Sequence, residues 1–274
     1  MKPEEQSQLL LGVTRSKAKM YEYDVPLDHH LTIYDNPAQL FSLAIALLSD
    51  LANQIISENF DTIFDNQLNS NLQFSARFFD AYIQSKLNEE LSPYLLLIGS
   101  AAFYLCDYPG NSSVLIKKLN SFIDIECDGI ENLLMWILKG NFNDLAKIKS
   151  GLFSQIIVDL MNDLSKYFNE GIEVKNIFYN LKLLREKTYK SGSPRQLLLA
   201  DVIFAVVKKK IENSCWSCLP KYTGTEISYW LNVMNKNAFI KELWPAQHII
   251  GKEGILSGKS AIIQMPTSAG KTRS

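Results

Sequence analysis

The strongest candidates for binding and catalysis in this sequence lie near its C-terminal end, in the segment Pro266–Thr272. The segment ends in Gly-Lys-Thr, the pattern that closes a phosphate-binding loop. Gly270 allows a tight turn in which successive backbone N–H groups face phosphate oxygens. Lys271 supplies a positive charge for the β- and γ-phosphates, and Thr272 offers a hydroxyl group to Mg²⁺. The pattern predicts ATP and Mg²⁺ as ligands, with Lys271 and Thr272 as catalytic residues. The predicted cofactor-binding loop consists of Pro266, Thr267, Ser268, Ala269, Gly270, Lys271 and Thr272.

The segment before this loop has the composition of a strand. Ala261–Gln264 is a short apolar run that is long enough for a buried parallel strand. A short helix is predicted upstream of it, over residues 247–256. Helix, strand and glycine-containing loop, in this order, are the beginning of a nucleotide-binding α/β domain. The alternative is a solvent-exposed loop between a strand and a helix.

A glutamine lies 24 residues before Lys271, in the segment Leu243–Gln247. The NH₂ group of the Gln247 amide can donate to N7 of adenine, and the amide oxygen can accept from the N6 amino group. Gln247 is therefore a candidate for binding the adenine base. The alternative is a surface glutamine at the start of a helix.

These two segments resemble motifs of one family. Pro266–Thr272 resembles motif I of the superfamily 2 DExH-box helicases of the Ski-like group, and Leu243–Gln247 resembles their Q motif. Met265 stands where the strict loop pattern has glycine and where the family often has alanine. The resemblance covers residues 239–274. It implies a RecA-like ATPase fold in which Gln247 recognises adenine.

The N-terminal segment Thr14–Tyr23, with the helical block after it, resembles the helicase subunit of the bacterial Hachiman anti-phage system. This resemblance implies an ATP-dependent helicase or translocase in anti-phage defence. Nucleic acid, DNA before RNA, would be bound through the full-length parent. An effector nuclease would be a further partner.

Most of the remaining sequence has the apolar spacing of α-helices, and strand-like alternation is scarce before residue 260. Asn36-Pro37, Ser92-Pro93 and Ser193-Pro194 have the pattern of helix starts. We predict a mainly α fold: a multi-helix accessory or interaction domain over 1–238, followed over 239–274 by the first strand and phosphate loop of a truncated RecA-like α/β domain. The predicted helices are 38–59, 92–108, 112–122, 129–139, 153–168, 174–189, 196–211, 226–235 and 247–256, with a turn at 109–111.

Composition and charge argue against a membrane-spanning, secreted or disulfide-rich protein. The formal net charge is −1, so a nucleic-acid site would have to be a local patch. The longest apolar run, Tyr94–Cys106, is shorter than the roughly 20 residues that span a bilayer. The N-terminus lacks the apolar centre of a signal peptide, and four cysteines make no disulfide framework. A cytoplasmic protein without a membrane partner is expected.

Two smaller clusters have both a chemical and a structural interpretation. Cys215 and Cys218 have the spacing of a redox or zinc motif, but two further zinc ligands are not close in sequence. We predict a loop with half-buried thiols. Lys208–Lys210 ends an apolar helix, and we expect it to complement the helix dipole rather than bind nucleic acid. We predict a solvated face for Arg15, Lys17 and Lys19; the alternative is that they bind phosphate or the acidic groups of a partner. We predict that His29-His30 is a polar pair in a loop.

Two functions remain open from the sequence. The first is the N-terminal part of a nucleic-acid-dependent ATPase, which would also need an acidic motif for Mg²⁺ and a second lobe with arginines. Neither follows Thr272 in this sequence, so we expect a truncated gene product or an excised piece that is inactive alone. The second is a helical protein-interaction scaffold without ATPase activity of its own.

Overall fold

The computed structural model describes residues 5–32, 38–57, 81, 93–119, 129–143, 151–171, 174–234, 236 and 239–264. These ranges are mainly α-helical, which confirms the predicted fold class. The helices are α1 Glu5–Glu22, α2 Ala38–Ser57, α3 Pro93–Leu105, α4 Pro109–Leu119, α5 Ile130–Lys139, α6 Ser154–Glu170, α7 Lys175–Ser191, α8 Pro194–Glu212, α9 Cys215–Thr223, α10 Leu231–Met234 and α11 Pro245–Lys252. Short 3₁₀ helices occupy Leu27–His29, Ile227–Trp230 and Ile255–Ser257.

Helix α8 lies at the centre of the bundle and packs against α2, α3, α5, α7 and α9. Every residue from Leu199 to Val207 is buried, as expected of a helix that is covered on all sides. Its start is fixed by a capping box, in which the Ser193 hydroxyl accepts from the Gln196 N–H and Gln196 Oε1 accepts from the Ser193 N–H. The buried Asp201 carboxylate accepts from Arg185 Nε at 2.6 Å and Tyr189 Oη at 2.7 Å.

Helices α3 and α4 form a tight hairpin. The turn between them occupies 106–108, where Asp107 adopts a left-handed backbone conformation with φ of 67°. The predicted turn at 109–111 is therefore wrong, because these residues form the first turn of α4. Pro109 suits this position, since the first residue of a helix needs no N–H partner. The buried Ser100 hydroxyl lies 2.9 Å from the Ser112 hydroxyl across the hairpin.

Two helices were not predicted. Helix α1 carries mostly polar residues and buries only a narrow apolar stripe that includes Leu10 and Leu11. Helix α9 replaces the loop predicted around Cys215 and Cys218. Ser214 caps α9 by accepting from the Ser217 N–H, a local signal that the sequence pattern contains.

The predicted strand at 261–264 is unpaired in the described part of the chain. These residues are extended without ladder pairing, and Ile262 is fully exposed. The strand therefore stays a prediction, because a strand needs a neighbouring strand to bind its backbone groups, and the described residues supply none. The only β-type backbone pairing in the described residues is an isolated antiparallel bridge between Ser214 and Glu242.

The apolar side chains form two clusters. The larger is continuous from Leu10 in α1 to Ile211 in α8. A smaller cluster contains Cys215, Leu219 and Met234, with partly buried side chains from the segment that leads to α11 packed against it. Within the described ranges, none of the helices is long and apolar enough to cross a membrane.

Candidate nucleotide-binding segment

Gln247 lies in the first turn of α11, where its side chain has a structural contact that sequence analysis did not assign. Gln247 Oε1 accepts from the Trp244 backbone N–H at 2.8 Å and so caps the helix. This contact uses one acceptor site of the amide oxygen, which has a second lone pair, while the amide nitrogen is a donor.

The predicted phosphate loop, Pro266–Thr272, lies outside the described residues, and so do Lys271 and the predicted Mg²⁺ ligand Thr272. The structure does not relate them to Gln247. Among the described residues, no group of three His, Cys, Asp or Glu side chains is placed to hold a metal ion.

The segment that leads into α11, residues 239–244, is bound to the junction of α8 and α9. We call it the connecting segment. The Cys215 N–H donates to the Lys241 carbonyl at 2.9 Å, and the Leu243 N–H donates to the Asn213 carbonyl at 2.8 Å. These two backbone bonds flank the Ser214–Glu242 bridge and fix the chain immediately before Gln247.

Glu242 is the most connected side chain of the connecting segment. Its Oε2 accepts from Lys210 Nζ at 2.8 Å, and its Oε1 accepts from Tyr104 Oη. Lys210 Nζ also lies 4.7 Å from the centre of the Tyr104 ring. Burial, reinforced by the negative charge of Glu242, raises the pKa of Tyr104, which keeps the phenol protonated as a donor. Sequence analysis missed this group because Tyr104 and Glu242 are 138 residues apart.

Helix α11 packs on α9 through a close contact. A Cβ atom built on Gly251 would lie 2.4 Å from Tyr222 Cδ2, so only glycine fits there. Tyr222 Oη lies 2.8 Å from His248 Nδ1. Burial, with a smaller effect from Lys252, lowers the pKa of His248. The neutral imidazole is therefore favoured at this contact.

The lysines of Lys208–Lys210 bind three different elements. Lys208 Nζ donates to the Ile55 carbonyl at the end of α2 at 2.5 Å. Lys209 Nζ donates to the Leu105 carbonyl at the end of α3 at 2.8 Å and pairs with Asp107. Lys210 pairs with Glu242. Lys209 and Lys210 lie in the last turn of α8, where their charges suit the dipole of their own helix as predicted. In addition, Lys208 and Lys209 cap the C-terminal ends of neighbouring helices.

Cys215 and Cys218 are buried on α9 rather than half-buried in a loop. The Cys215 thiol donates to the Ile240 carbonyl at 3.2 Å, and the Cys218 thiol donates to the Glu212 carbonyl at 3.0 Å. Burial raises the pKa of Cys215 to about 12 and that of Cys218 to about 11. The thiols are therefore protonated at neutral pH, which suits neither a thiolate nucleophile nor a metal ligand.

The N-terminal basic residues, for which a solvated face was predicted, lie on α1. Arg15 and Lys19 are exposed, Lys17 is half-buried, and Lys19 pairs with Glu22 one turn further along. His29 is exposed beside Asp28, whereas His30 Nε2 binds the Val25 carbonyl at 2.8 Å. His30 is thus a packed residue rather than part of a polar loop pair.

Comparisons with protein-family models, with curated proteins and with solved structures find no match to this chain.

Proposed function

We propose that this chain is the N-terminal part of an ATP-dependent nucleic-acid helicase or translocase of the superfamily 2 DExH-box, Ski-like type, acting in anti-phage defence. In this proposal residues 239–274 begin a RecA-like ATPase domain. The observation that carries it is the order of features after the bundle: a fixed connecting segment, the Gln247 helix, an exposed apolar run and Gly-Lys-Thr.

The exposed run supports this order. Ile262 and Ile263 are 101% and 45% exposed, in an extended segment directly before the loop. Burying one isoleucine side chain is favourable by about 1.5–3 kcal/mol. Two neighbouring exposed isoleucines in an extended segment are typical of a strand whose sheet partners are absent from the described residues.

The attachment of α11 supports a role for Gln247. The Glu242 contacts and the Gly251–Tyr222 contact place the Gln247 helix at a defined position on the bundle. A base-recognition residue has to be held in place before the nucleotide arrives, because ordering it on binding costs affinity. Gln247 would recognise adenine, the loop 266–272 would bind the phosphates, and Thr272 would hold Mg²⁺, which neutralises phosphate charge.

The helical region would serve as an accessory domain that docks on the motor or on a partner such as an effector nuclease. Nucleic acid would be bound by the full-length protein, DNA rather than RNA. Among the described residues, the triplet Lys208–Lys210 does not favour a nucleic-acid patch on the bundle, because its ammonium groups bind carbonyl and carboxylate oxygens.

Binding of ATP to the complete chain tests the proposal. Isothermal titration calorimetry with ATP and Mg²⁺ should give saturable binding that Lys271→Ala weakens by tenfold or more, an effect of about 1.4 kcal/mol. Lys259→Ala is a matched control, because Lys259 is an exposed lysine upstream of the loop. ATP binding that is equal in the parent chain and in Lys271→Ala would contradict the proposal.

The second candidate function is a helical interaction scaffold without ATP binding. It is favoured by the larger apolar cluster, which is continuous from α1 to α8 and, among the described residues, has no buried member beyond Ile211. The described apolar packing of the bundle is therefore formed by residues that precede the predicted nucleotide-binding segment. In this case calorimetry with ATP would detect no binding, and Lys271→Ala would behave as the parent chain.

A further inference from the structure

A polar cavity of about 360 Å³ lies beside the connecting segment. The start of α4, the end of α5, the end of α6 and the connecting segment surround it. Its volume is within the range of small-molecule sites, about 300–1,000 Å³, and larger than an inorganic ion requires.

The described walls of this cavity carry an excess of positive charge. Lys139, Lys210 and Lys241 line it, and Glu242 is the only described carboxylate among the lining residues. Glu242 accepts from both Tyr104 and Lys210, and its ion pair is with Lys210 rather than with Lys139 or Lys241. Two ammonium groups at the cavity thus lack a carboxylate partner within the described part of the chain.

The contacts of these two lysines leave hydrogen-bond donors for a ligand. Lys241 Nζ donates to Asn169 Oδ1 at 2.7 Å, which uses one of its three hydrogens. Lys139 makes no hydrogen bond or ion pair with any described residue. Partial burial lowers the pKa of both lysines. The cost of removing each ammonium group from water is therefore not fully offset by nearby negative groups.

The remaining lining residues suit a small organic phosphate. The side chains of Ser113, Asn141 and Asn143 add hydrogen-bonding groups to the lining of the same cavity. The half-buried Trp244 also lines it, and its ring offers an apolar face to the organic part of a ligand.

We infer that this cavity binds a small phosphate monoester, with Lys139 and Lys241 contacting the phosphate and Trp244 contacting the organic group. The described residues that line the cavity all precede the predicted phosphate loop in sequence, and the inference does not depend on the proposed ATPase function. A dianionic phosphate accepts charge-assisted hydrogen bonds, which are about twice as strong as neutral ones, so the two lysines account for the preference.

Calorimetric titration of the complete chain with ribose 5-phosphate at low ionic strength tests the site. We expect a Kd below about 1 mM, and inorganic phosphate should bind more weakly because it fills only part of the cavity. Lys139→Gln and Lys241→Gln should each weaken binding of ribose 5-phosphate by about tenfold. Neither lysine is fully buried, so the variants are expected to fold.

A control variant separates this site from general charge effects. Lys117→Gln removes an exposed lysine from α4 that does not line the cavity. It should leave the affinity for ribose 5-phosphate unchanged within about twofold. Circular dichroism of each variant checks the helical fold.

Three results would overturn the inference. The first is absence of ribose 5-phosphate binding at millimolar concentration, and the second is binding that Lys139→Gln and Lys241→Gln do not weaken. The third is a single-stranded oligonucleotide that competes at the same lysines and binds over a hundredfold more tightly. That last result would assign the lysines to nucleic acid instead of a small molecule.

Discussion

A run of identical residues does not reveal which contact each side chain makes. The lysines of the triplet Lys208–Lys210 are an example. They are consecutive in sequence, yet one reaches the end of α2, one the end of α3 and one the connecting segment. A basic triplet is a candidate for binding nucleic acid when its ammonium groups have no hydrogen-bond partners within the protein. Here the partners are helix C-termini and a carboxylate, so the triplet stabilises the fold.

At the scale of single residues, the phosphate loop and the adenine residue can be tested apart. In a protein that carries this chain together with a second ATPase lobe, Lys271→Ala should reduce ATP hydrolysis by at least about 100-fold, because the transferred phosphoryl group loses a positive charge. Steady-state ATPase assays measure this. Hydrolysis at the parental rate would remove the main support for the helicase assignment.

Gln247 requires a variant that keeps its helix cap. Gln247→Glu retains an acceptor for the Trp244 N–H but loses the amide donor, so it separates capping from adenine recognition. We expect the preference for ATP over GTP to fall by about tenfold, or about 1.4 kcal/mol, which lies within the range of about 1–3 kcal/mol for one base contact. ATPase and GTPase rates of Gln247→Glu and Gln247→Ala measure the ratio. An unchanged ratio would leave Gln247 with its structural role alone.

Asp201 is a residue whose loss should affect the whole bundle. Its buried carboxylate binds Arg185 and Tyr189, and removing one partner of a buried pair leaves the other without compensation. Because Arg185 is partly exposed, we expect Asp201→Ala to lower the free energy of unfolding by about 3 kcal/mol, near the low end of such effects. Urea denaturation measures this, and Asp28→Ala, at an exposed site, should change it by less than about 0.5 kcal/mol.

At the scale of elements, the contact between α9 and α11 depends on the absence of a side chain. Gly251→Ala would place Cβ 2.4 Å from the Tyr222 ring, so α11 has to move away from α9. We expect faster amide hydrogen exchange in 245–252 with little change in the bundle. Gly12→Ala is the matched control, because nothing lies within 4 Å of that position and alanine favours a helix by about 1 kcal/mol. Equal exchange in both variants would contradict the close packing.

The end of α8 should make stability depend on pH. Burial raises the pKa of Glu212 to about 7, although Lys208 and Lys209 act in the opposite direction. An unfolded glutamate titrates near 4.3. Between these values the folded chain holds a proton that the unfolded chain has lost, so the stability contributed by this group falls as pH rises.

Glu212→Gln isolates this effect. The variant should be as stable as the parent near pH 4 and more stable above pH 7, by about 1–2 kcal/mol after allowance for solvent screening. Urea denaturation between pH 4 and 8 measures the difference, and Glu253→Gln, at an exposed site, should show none. A constant difference across this range would show that Glu212 does not carry the pH dependence.

At the scale of the whole molecule, the proposed motor needs an acidic motif that holds Mg²⁺ and a second lobe that contacts the γ-phosphate, in addition to the phosphate loop. We expect the 274 residues alone to show no nucleic-acid-stimulated ATP hydrolysis, because a phosphate loop by itself does not supply these groups. A phosphate-release assay with single-stranded DNA measures this. Turnover by the pure chain that disappears in Lys271→Ala would contradict the expectation.

The sequence by itself determined the mainly α fold class and the positions of most helices. Helix α8 is an example: Ser193 and Pro194 mark its start, and apolar residues from Leu199 onward continue it. Such signals are local, because capping and apolar spacing act within a few residues. The same locality allowed Gly-Lys-Thr and Gln247 to be recognised as candidates for nucleotide binding.

Only the tertiary structure decided which distant residues meet. Glu242 binds Tyr104 from 138 residues away, and Lys139 and Lys241 come to one cavity from separate elements. The apolar run at 261–264 is unpaired in the described residues, since strand formation depends on a neighbouring strand rather than on the run itself. Side-chain contacts and strand pairing across long sequence separations follow from how the helices pack, which local patterns do not specify.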